Sequence, residues 1–286
     1  MNGVLLVDKP SDWTSHDVVA KLRGVFGEKR IGHAGTLDPM ATGLLVVFLG
    51  RATKAVSFAE AREKRYIARL RLGVVTDTQD TTGRVLSETE QHVTAEELQQ
   101  ALNAFCGEIL QIPPMYSAIK VDGKRLYEVA RRGGEIERSA RPVTIRRLEL
   151  IGRIDGDWLL DVTCSKGTYI RTLCHDLGAA LGCGGAMAAL RRISVGDYRV
   201  SEAHTVAQLA SMQRADAEKL LMPLDSVFRT HLAVTLSAGQ ERLCRNGSAF
   251  ACEEPDGVFR FYAPDGAFLM LGEVRGGTVT AIKRFF

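Results

Sequence analysis

The hydrophobic positions of this chain recur with two periods, which divide it into strands and helices. Val4–Val7 is a short continuous apolar run closed by Asp8-Lys9-Pro10-Ser11, the pattern of a buried strand. Ser15 reads as the cap of a helix running to about Val25, with Val18, Val19 and Leu22 on one face and a stop near Gly27. Residues 28–43 are polar and glycine-rich and lead into the apolar strand Leu44–Leu49. From Tyr66 to Leu72 the period is two. Tyr66, Ala68, Leu70 and Leu72 share one face and Arg69 and Arg71 the other, predicting a strand with one wet, basic side.

Thr76–Gly83 reads as a loop, and Thr94 with Glu97 forms a capping box that opens a helix through Phe105. Residues 111–141 are less regular, with a short helix expected over Lys124–Arg132, stopped by Gly133-Gly134. Val143–Ile151 and Trp158–Cys164 read as strands. Ser165–Thr168 then opens a helix with Ile170, Leu173, Cys174, Leu177 and Leu181 at three-four spacing. The last stretch changes character: Val258–Tyr262, Ala267–Val274 and Thr278–Phe285 are short strands, separated by the turns Ala263-Pro264-Asp265-Gly266 and Gly276-Gly277. The pattern predicts an α+β domain followed by a small all-β module, with the boundary near residues 225–235.

Composition adds limits. A length of 286 residues suits two domains of ~150 residues, and 45% hydrophobic with 25% charged residues is ordinary for a globular chain. A net charge of +3 excludes a strongly basic coat but not a local basic patch. The longest apolar run, Leu44–Leu49, is far shorter than the ~20 residues of a membrane-spanning helix. Val4–Val7, cut off by Asp8, is too short for a secretory signal. Cys106, Cys164, Cys174, Cys183, Cys244 and Cys252 form no C-x-x-C pair and read as free thiols of a reducing cytoplasm.

Phosphate-binding glycine loops, dinucleotide fingerprints, zinc-helix motifs and nucleophile elbows are all missing, so the expected chemistry runs on side chains without cofactor or metal. Four segments stand out. In Arg30–Gly43 (RIGHAGTLDPMATG), glycines, threonines and Pro39 frame Asp38, with His33 five residues earlier. A carboxylate held this way can act as a nucleophile or base, although an Asp-Pro turn has the same composition. In Ser165–Thr172 (SKGTYIRT), Tyr169 offers a stacking face and Arg171 a partner for a carboxylate, or simply the surface of a helix start. Tyr66 opens the basic-faced strand and could equally be core or rim. Residues 111–150 carry nine basic against five acidic residues, with Tyr116 and Tyr127 interleaved. That mixture suits an RNA backbone and stacked bases, or a solvated surface of mixed sign.

Taken in order, GVLLVDKP, GHAGTLDPMATGLL, KRYIARLRLG, IPPMYSAIKVDGKRLYEVARRG and SKGTYIRTL closely resemble the bacterial TruB family of tRNA pseudouridine synthases over roughly residues 3–200. The block G-T-L-D-P-x-A-T-G matches that family's active-site signature, and Ala34 and Thr36 fall where other small residues also occur. The resemblance implies the pseudouridine synthase fold: a mixed, mostly antiparallel sheet flanked by helices, over residues 1–228. It implies an RNA-clamping insertion at about 111–141 and a PUA-like RNA-binding domain at 229–286. The implied activity is isomerisation of the T-loop uridine of tRNA, position 55, without cofactor or metal.

By the same resemblance Asp38 falls on the catalytic nucleophile and Arg171 on its partner. Tyr66 falls on the tyrosine that stacks under uracil and could remove the C5 proton. Tyr169 and Leu190 fall on the uridine pocket, His33 on the residue that holds the loop flipped out, and Lys9 and Pro10 on a supporting motif. Lys120, Lys124, Arg125, Arg131, Arg132 and Arg141 become the candidates for RNA clamping. The implied partner is the tRNA T-stem-loop, met without a membrane or guide RNA by a cytoplasmic monomer. A base being detached must first leave its stack, which costs a few kcal/mol, offset by pocket contacts. Other readings are a tRNA-folding factor without chemistry and a glycosidase-like hydrolase, the latter short of a second carboxylate. A guide-dependent relative is a further reading, against which stand the clamp segment and the absence of a basic tail.

Overall fold

The computed structural model describes residues 1–286 except Ala118, Asp122 and Arg131; at Lys120, Val121, Lys124 and Arg125 it describes backbone only. The chain opens with strand β1 (Gly3–Lys9), helix α1 (Ser15–Phe26), β2 (Ile31–Ala34), β3 (Thr42–Leu49), the short helix α2 (Val56–Glu60) and β4 (Lys64–Leu72). A protruding hairpin follows, β5 (Val74–Thr76) and β6 (Val85–Glu88), then α3 (Ala95–Ala104) and β7 (Gly107–Gln111). The segment between Gln111 and Arg141 holds the two-residue strands β8 (Lys120–Val121) and β9 (Lys124–Arg125) and helix α4 (Leu126–Ala130). Next come β10 (Arg141–Ile154), β11 (Asp157–Cys164), α5 (Ile170–Ala180), β12 (Gly185–Val195), β13 (Tyr198–Arg199), β14 (His204–Thr205), α6 (Val206–Ser211) and α7 (Arg214–Lys219).

Ten of these strands form one sheet in the order β14-β1-β3-β12-β4-β11-β10-β7, with β2 added on β3 and β13 on β12. Only β1 with β14 and β3 with β12 pair in parallel, so the sheet is mixed and mostly antiparallel. β1 and β3 are buried on both faces, which is why each reads as a continuous apolar run. Leu5, Val7, Leu45 and Val47 pack against Val18, Leu22 and Phe26 of α1. Val4, Leu6, Val46 and Phe48 point the other way. β4, by contrast, strictly alternates: Tyr66, Ala68, Leu70 and Leu72 are buried with Leu98 and Leu102 of α3 and Leu173 and Leu177 of α5.

The outer face of β4 corrects the expectation of a basic surface. Arg65 bonds Asp161, and Arg69 and Arg71 both bond Asp157, at 2.7–3.1 Å. Helix α1 is capped by Thr14 in a capping box with Asp17, not by Ser15, whose hydroxyl is needed elsewhere. Strand β2 lies within the stretch read as loop, and β12 crosses the middle of the sheet unforeseen because Arg191 and Arg192 interrupt its apolar pattern.

Residues 232–284 form a second, five-stranded sheet: β15 (Leu232–Thr235), β16 (Phe250–Ala251), β17 (Gly257–Tyr262), β18 (Phe268–Arg275) and β19 (Thr278–Arg284), with helix α8 (Ala238–Asn246). It docks through Phe58, Phe228, Phe268 and Phe285, whose ring centroids lie 5.1–5.9 Å apart along the cluster. Asp225 accepts from the Tyr262 hydroxyl at 2.6 Å and from Arg260 at 3.2 Å, and Lys54 donates to the carbonyls of Arg284 and Phe286.

Candidate active site

The loop between β2 and β3 carries Asp38, and three separate elements hold that loop still. The Ser15 hydroxyl accepts from the Leu37 amide at 2.9 Å and faces the Leu37 carbonyl. Lys9, fully buried at the end of β1, donates to the carbonyls of Pro10 (2.8 Å), Trp13 (2.6 Å) and Pro39 (3.1 Å). The Lys9 ammonium thus joins the exposed Pro10 turn to the residue after Asp38, and burial lowers its pKa to about 8. Arg192, 1% exposed, donates to the Leu44 carbonyl at 2.7 Å and the Gly35 carbonyl at 2.9 Å. At Gly43 (φ +97°) an added Cβ would lie 2.3 Å from the Arg192 carbonyl oxygen, so only glycine lets β3 pass β12 there.

Arg171 in the first turn of α5 meets Asp38 as an ion pair, with Nη2 donating to Oδ1 at 3.2 Å and Nε 2.9 Å from Oδ2. Nη2 also donates to the Tyr116 carbonyl at 2.8 Å and Nη1 to the Thr78 carbonyl at 3.2 Å, with Asp80 Oδ2 3.8 Å away. One planar guanidinium therefore joins the Asp38 loop, the tip of the β5–β6 hairpin and the segment after β7. Asp80 is buried and fixed by Thr78 and by the amide and hydroxyl of Thr82. Burial pushes the Asp38 carboxyl above its ordinary value, Arg171 pulls it back, and Asp80 adds to the rise.

Tyr66 lies opposite Arg192 across the β4–β12 ladder and shares one apolar cluster with Leu37, Ala41 and Leu190. Burial raises its phenol above the ordinary value, against the opposing Arg192 guanidinium, so it is neutral at pH 7. Tyr169 is the N-cap of α5 and partly exposed, and burial raises its phenol too. His33 sits on β2 paired with Val47, and its buried Nδ1 has no hydrogen-bond partner among the described residues. Burial, Arg192 and His16 lower its pKa to about 4. Asp38 and Arg171 thus meet directly, Lys9 holds the loop at Pro39, Tyr66 and Leu190 share a cluster with Leu37 and Ala41 of the loop, Tyr169 caps the helix of Arg171, and His33 stands on the strand that feeds the loop. Among the described residues no three His, Cys, Asp or Glu side chains are grouped to hold a metal.

Arg132 and Arg141 are exposed on the 111–141 segment. Arg131 and the side chains of Lys120, Lys124 and Arg125 lie outside the described residues. Sequence reasoning missed Ser15 as a loop anchor, Asp80, Gln111 and Arg192. An arginine pair inside a strand whose neighbours are apolar was the available signal for Arg192. Asp80 had none, because an acidic residue in TDTQDTTG looks like any turn residue.

What this arrangement defines is one anchored, partly exposed carboxylate paired with a buried arginine, beside a cluster that holds a buried tyrosine, on a mixed sheet. The solved Cbf5-Nop10-Gar1 complex matches with a TM-score of 0.74 and 25% identity over 99% of this chain and 85% of that one. An H/ACA ribonucleoprotein bound to a substrate RNA matches at 0.73 and 23% identity, a likeness of fold. Residues 23–170 match the TruB family pseudouridylate synthase N-terminal domain, and 171–229 match the tRNA pseudouridylate synthase B C-terminal domain. Relatives named tRNA pseudouridine synthase B are 46% identical in Aromatoleum aromaticum, over 99% of this chain and 92% of the relative, and 44% identical in Thermobifida fusca, over 99% and 98%. The chain belongs to the TruB family of pseudouridylate synthases, enzymes of the isomerase class.

Proposed function

We propose that this chain isomerises the T-loop uridine of tRNA, position 55, to pseudouridine, with Asp38 as nucleophile. The observation that carries the reading is the Asp38–Arg171 ion pair, in which the guanidinium is 5% and the carboxylate 36% exposed. Arg171 opposes the rise that burial imposes on the Asp38 carboxyl and so favours its ionised form, while the carboxylate stays partly exposed. The uridine is extruded into the space beside Tyr66, Leu190 and Tyr169. Asp38 bonds to the nucleoside at ribose C1′ or uracil C6, the N1–C1′ bond breaks, uracil turns, C5 bonds to C1′, and the bond to Asp38 breaks again to free the carboxylate. The C5 proton is lost and N1 gains one, so no oxidant, reductant or added group is needed. Tyr66, a neutral phenol, walls the pocket, and a base role would first require the loss of its own proton.

The substrate assignment leans on relatives named for tRNA at 44–46% identity across nearly the whole chain, against 23–25% for the ribonucleoprotein neighbours. The proposal therefore includes a monomer working in the cytoplasm without a guide RNA. No described helix is long and apolar enough to cross a membrane.

A tRNA transcript tritiated at uracil C5 releases its label into water when wild-type protein is added. Asp38→Asn lowers that release about a thousand-fold or more while keeping RNA affinity. Label release by the variant at the native rate, or none by the wild type, overturns the reading. Replacing Arg132 and Arg141 by Gln weakens tRNA binding and reduces its salt slope by about 1 per lost phosphate contact. An unchanged slope rejects the clamp.

A further inference from the structure

We infer that Gln111 is a positioning residue for the isomerisation: its side-chain amide locks the root of the 112–140 segment to the helix turn that carries Arg171. This rests on the reading of Arg171 as the partner of the reacting Asp38. Gln111 ends β7 and is 1% exposed. Its Oε1 accepts from the Tyr169 amide at 3.0 Å and its Nε2 donates to the Tyr169 carbonyl at 3.3 Å. The side chain thus pairs with the N–H and C=O of one residue as a neighbouring strand would. That residue is the N-cap of α5, which has no side-chain cap of its own, and its carbonyl also accepts the first helical bond from Leu173.

The same segment grips the helix a second time, through the Tyr116 carbonyl on Arg171 Nη2. Gln111 and Tyr116, five residues apart, therefore hold Tyr169 and Arg171, two residues apart. Across the ladder Gln111 pairs with Arg141, so both roots of the segment meet at this point. A buried amide left unpaired forfeits its hydration with nothing in return. An apolar side chain would fill the volume more simply, and what glutamine adds is a fixed register between the segment and the catalytic turn. When the segment settles on RNA, its position reaches the guanidinium through these bonds, and the ion pair with Asp38 requires that guanidinium to be in place.

The test compares Gln111→Ala and Gln111→Glu with wild type in single-turnover tritium release at saturating protein, alongside tRNA Kd and thermal melting. Both variants lower the saturated rate about ten-fold or more at neutral pH, with Kd within about two-fold and the protein folded. An ionised glutamate keeps the acceptor for the Tyr169 amide but turns an oxygen on the Tyr169 carbonyl; once protonated it donates again. The Gln111→Glu to wild-type rate ratio therefore climbs as pH falls from about 7.5 to about 5.5, while the Gln111→Ala ratio stays flat. Wild-type saturated rates with a weakened Kd, losses that merely follow the unfolded fraction, or a flat Gln111→Glu ratio each overturn the inference. A wild type that releases no label overturns the reading of Arg171 beneath it, a result distinct from active wild type with unaffected variants.

Discussion

On the inner side of β4, Arg171 is 5% exposed and its partner Asp38 36%; on the outer side, Asp157 and Asp161 are 2% and 3% exposed and their arginines 27–46%. The same two residue types are paired in opposite senses. Outside, the anion is sealed in and flexible cations close over it, which neutralises the strand's basic face and leaves nothing able to react. Inside, the cation is sealed in and the anion stays partly exposed. A carboxylate can be both charged and reachable only if something else bears the burial, and here Arg171 does so, bonding Asp38 and the carbonyls of Thr78 and Tyr116. The other buried inner cations, Lys9, Lys64 and Arg192, give their hydrogen bonds to backbone carbonyls and so fix loops.

The sharpest way to break this contrast is Arg171→Lys. A lysine keeps the charge but cannot hold Asp38, Tyr116 and Thr78 together, so the saturated rate falls about a hundred-fold. Single-turnover release at native speed would show that charge alone suffices. Asp157→Asn should do the opposite, leaving the saturated rate within about two-fold and lowering stability by about 1–3 kcal/mol. The upper figure applies to buried pairs, and the half-exposed Arg69 and Arg71 can turn to water. A urea midpoint unchanged from wild type would make the outer ladder ornamental.

His33 gives the smallest effect. Its native pKa of about 4 lies below the reference value of 6.5, so the unfolded chain holds the extra proton between those values. Stability is therefore lost as pH falls through that window. His33→Gln flattens that part of the stability–pH curve in denaturant titrations at stepped pH, and an identical slope would mean the ring is not buried neutral.

Much of this was legible along the chain. The period of two from Tyr66 to Leu72 placed that tyrosine on the buried face, the Thr94–Glu97 box opened α3 where it was expected, and three C-terminal strands lie within two residues of their expected ends. Asp38 and Arg171 were each visible as residues in polar segments, but only the resemblance made them a pair. Lys9 was legible as a motif and not as a buried ammonium. β12 escaped because a buried, carbonyl-bonded arginine is indistinguishable in one dimension from a solvated one, and β2 because Gly32 and His33 dilute its pattern.

Local order came from the sequence alone: alternation, capping boxes, a glycine-framed Asp-Pro turn, and a basic segment after Gln111. These depend on neighbours within a few residues, where sterics and hydrogen bonds repeat. Which arginine meets which carboxylate was decided in three dimensions. Asp38 and Arg171 are 133 residues apart, and Arg171 and Tyr116 are 55. Contacts of that span arise only once the sheet order has brought β3, β12 and β4 side by side and stood α5 at their end. Whether a charge is sheltered or wet is a property of that assembled dielectric, and no residue carries it alone.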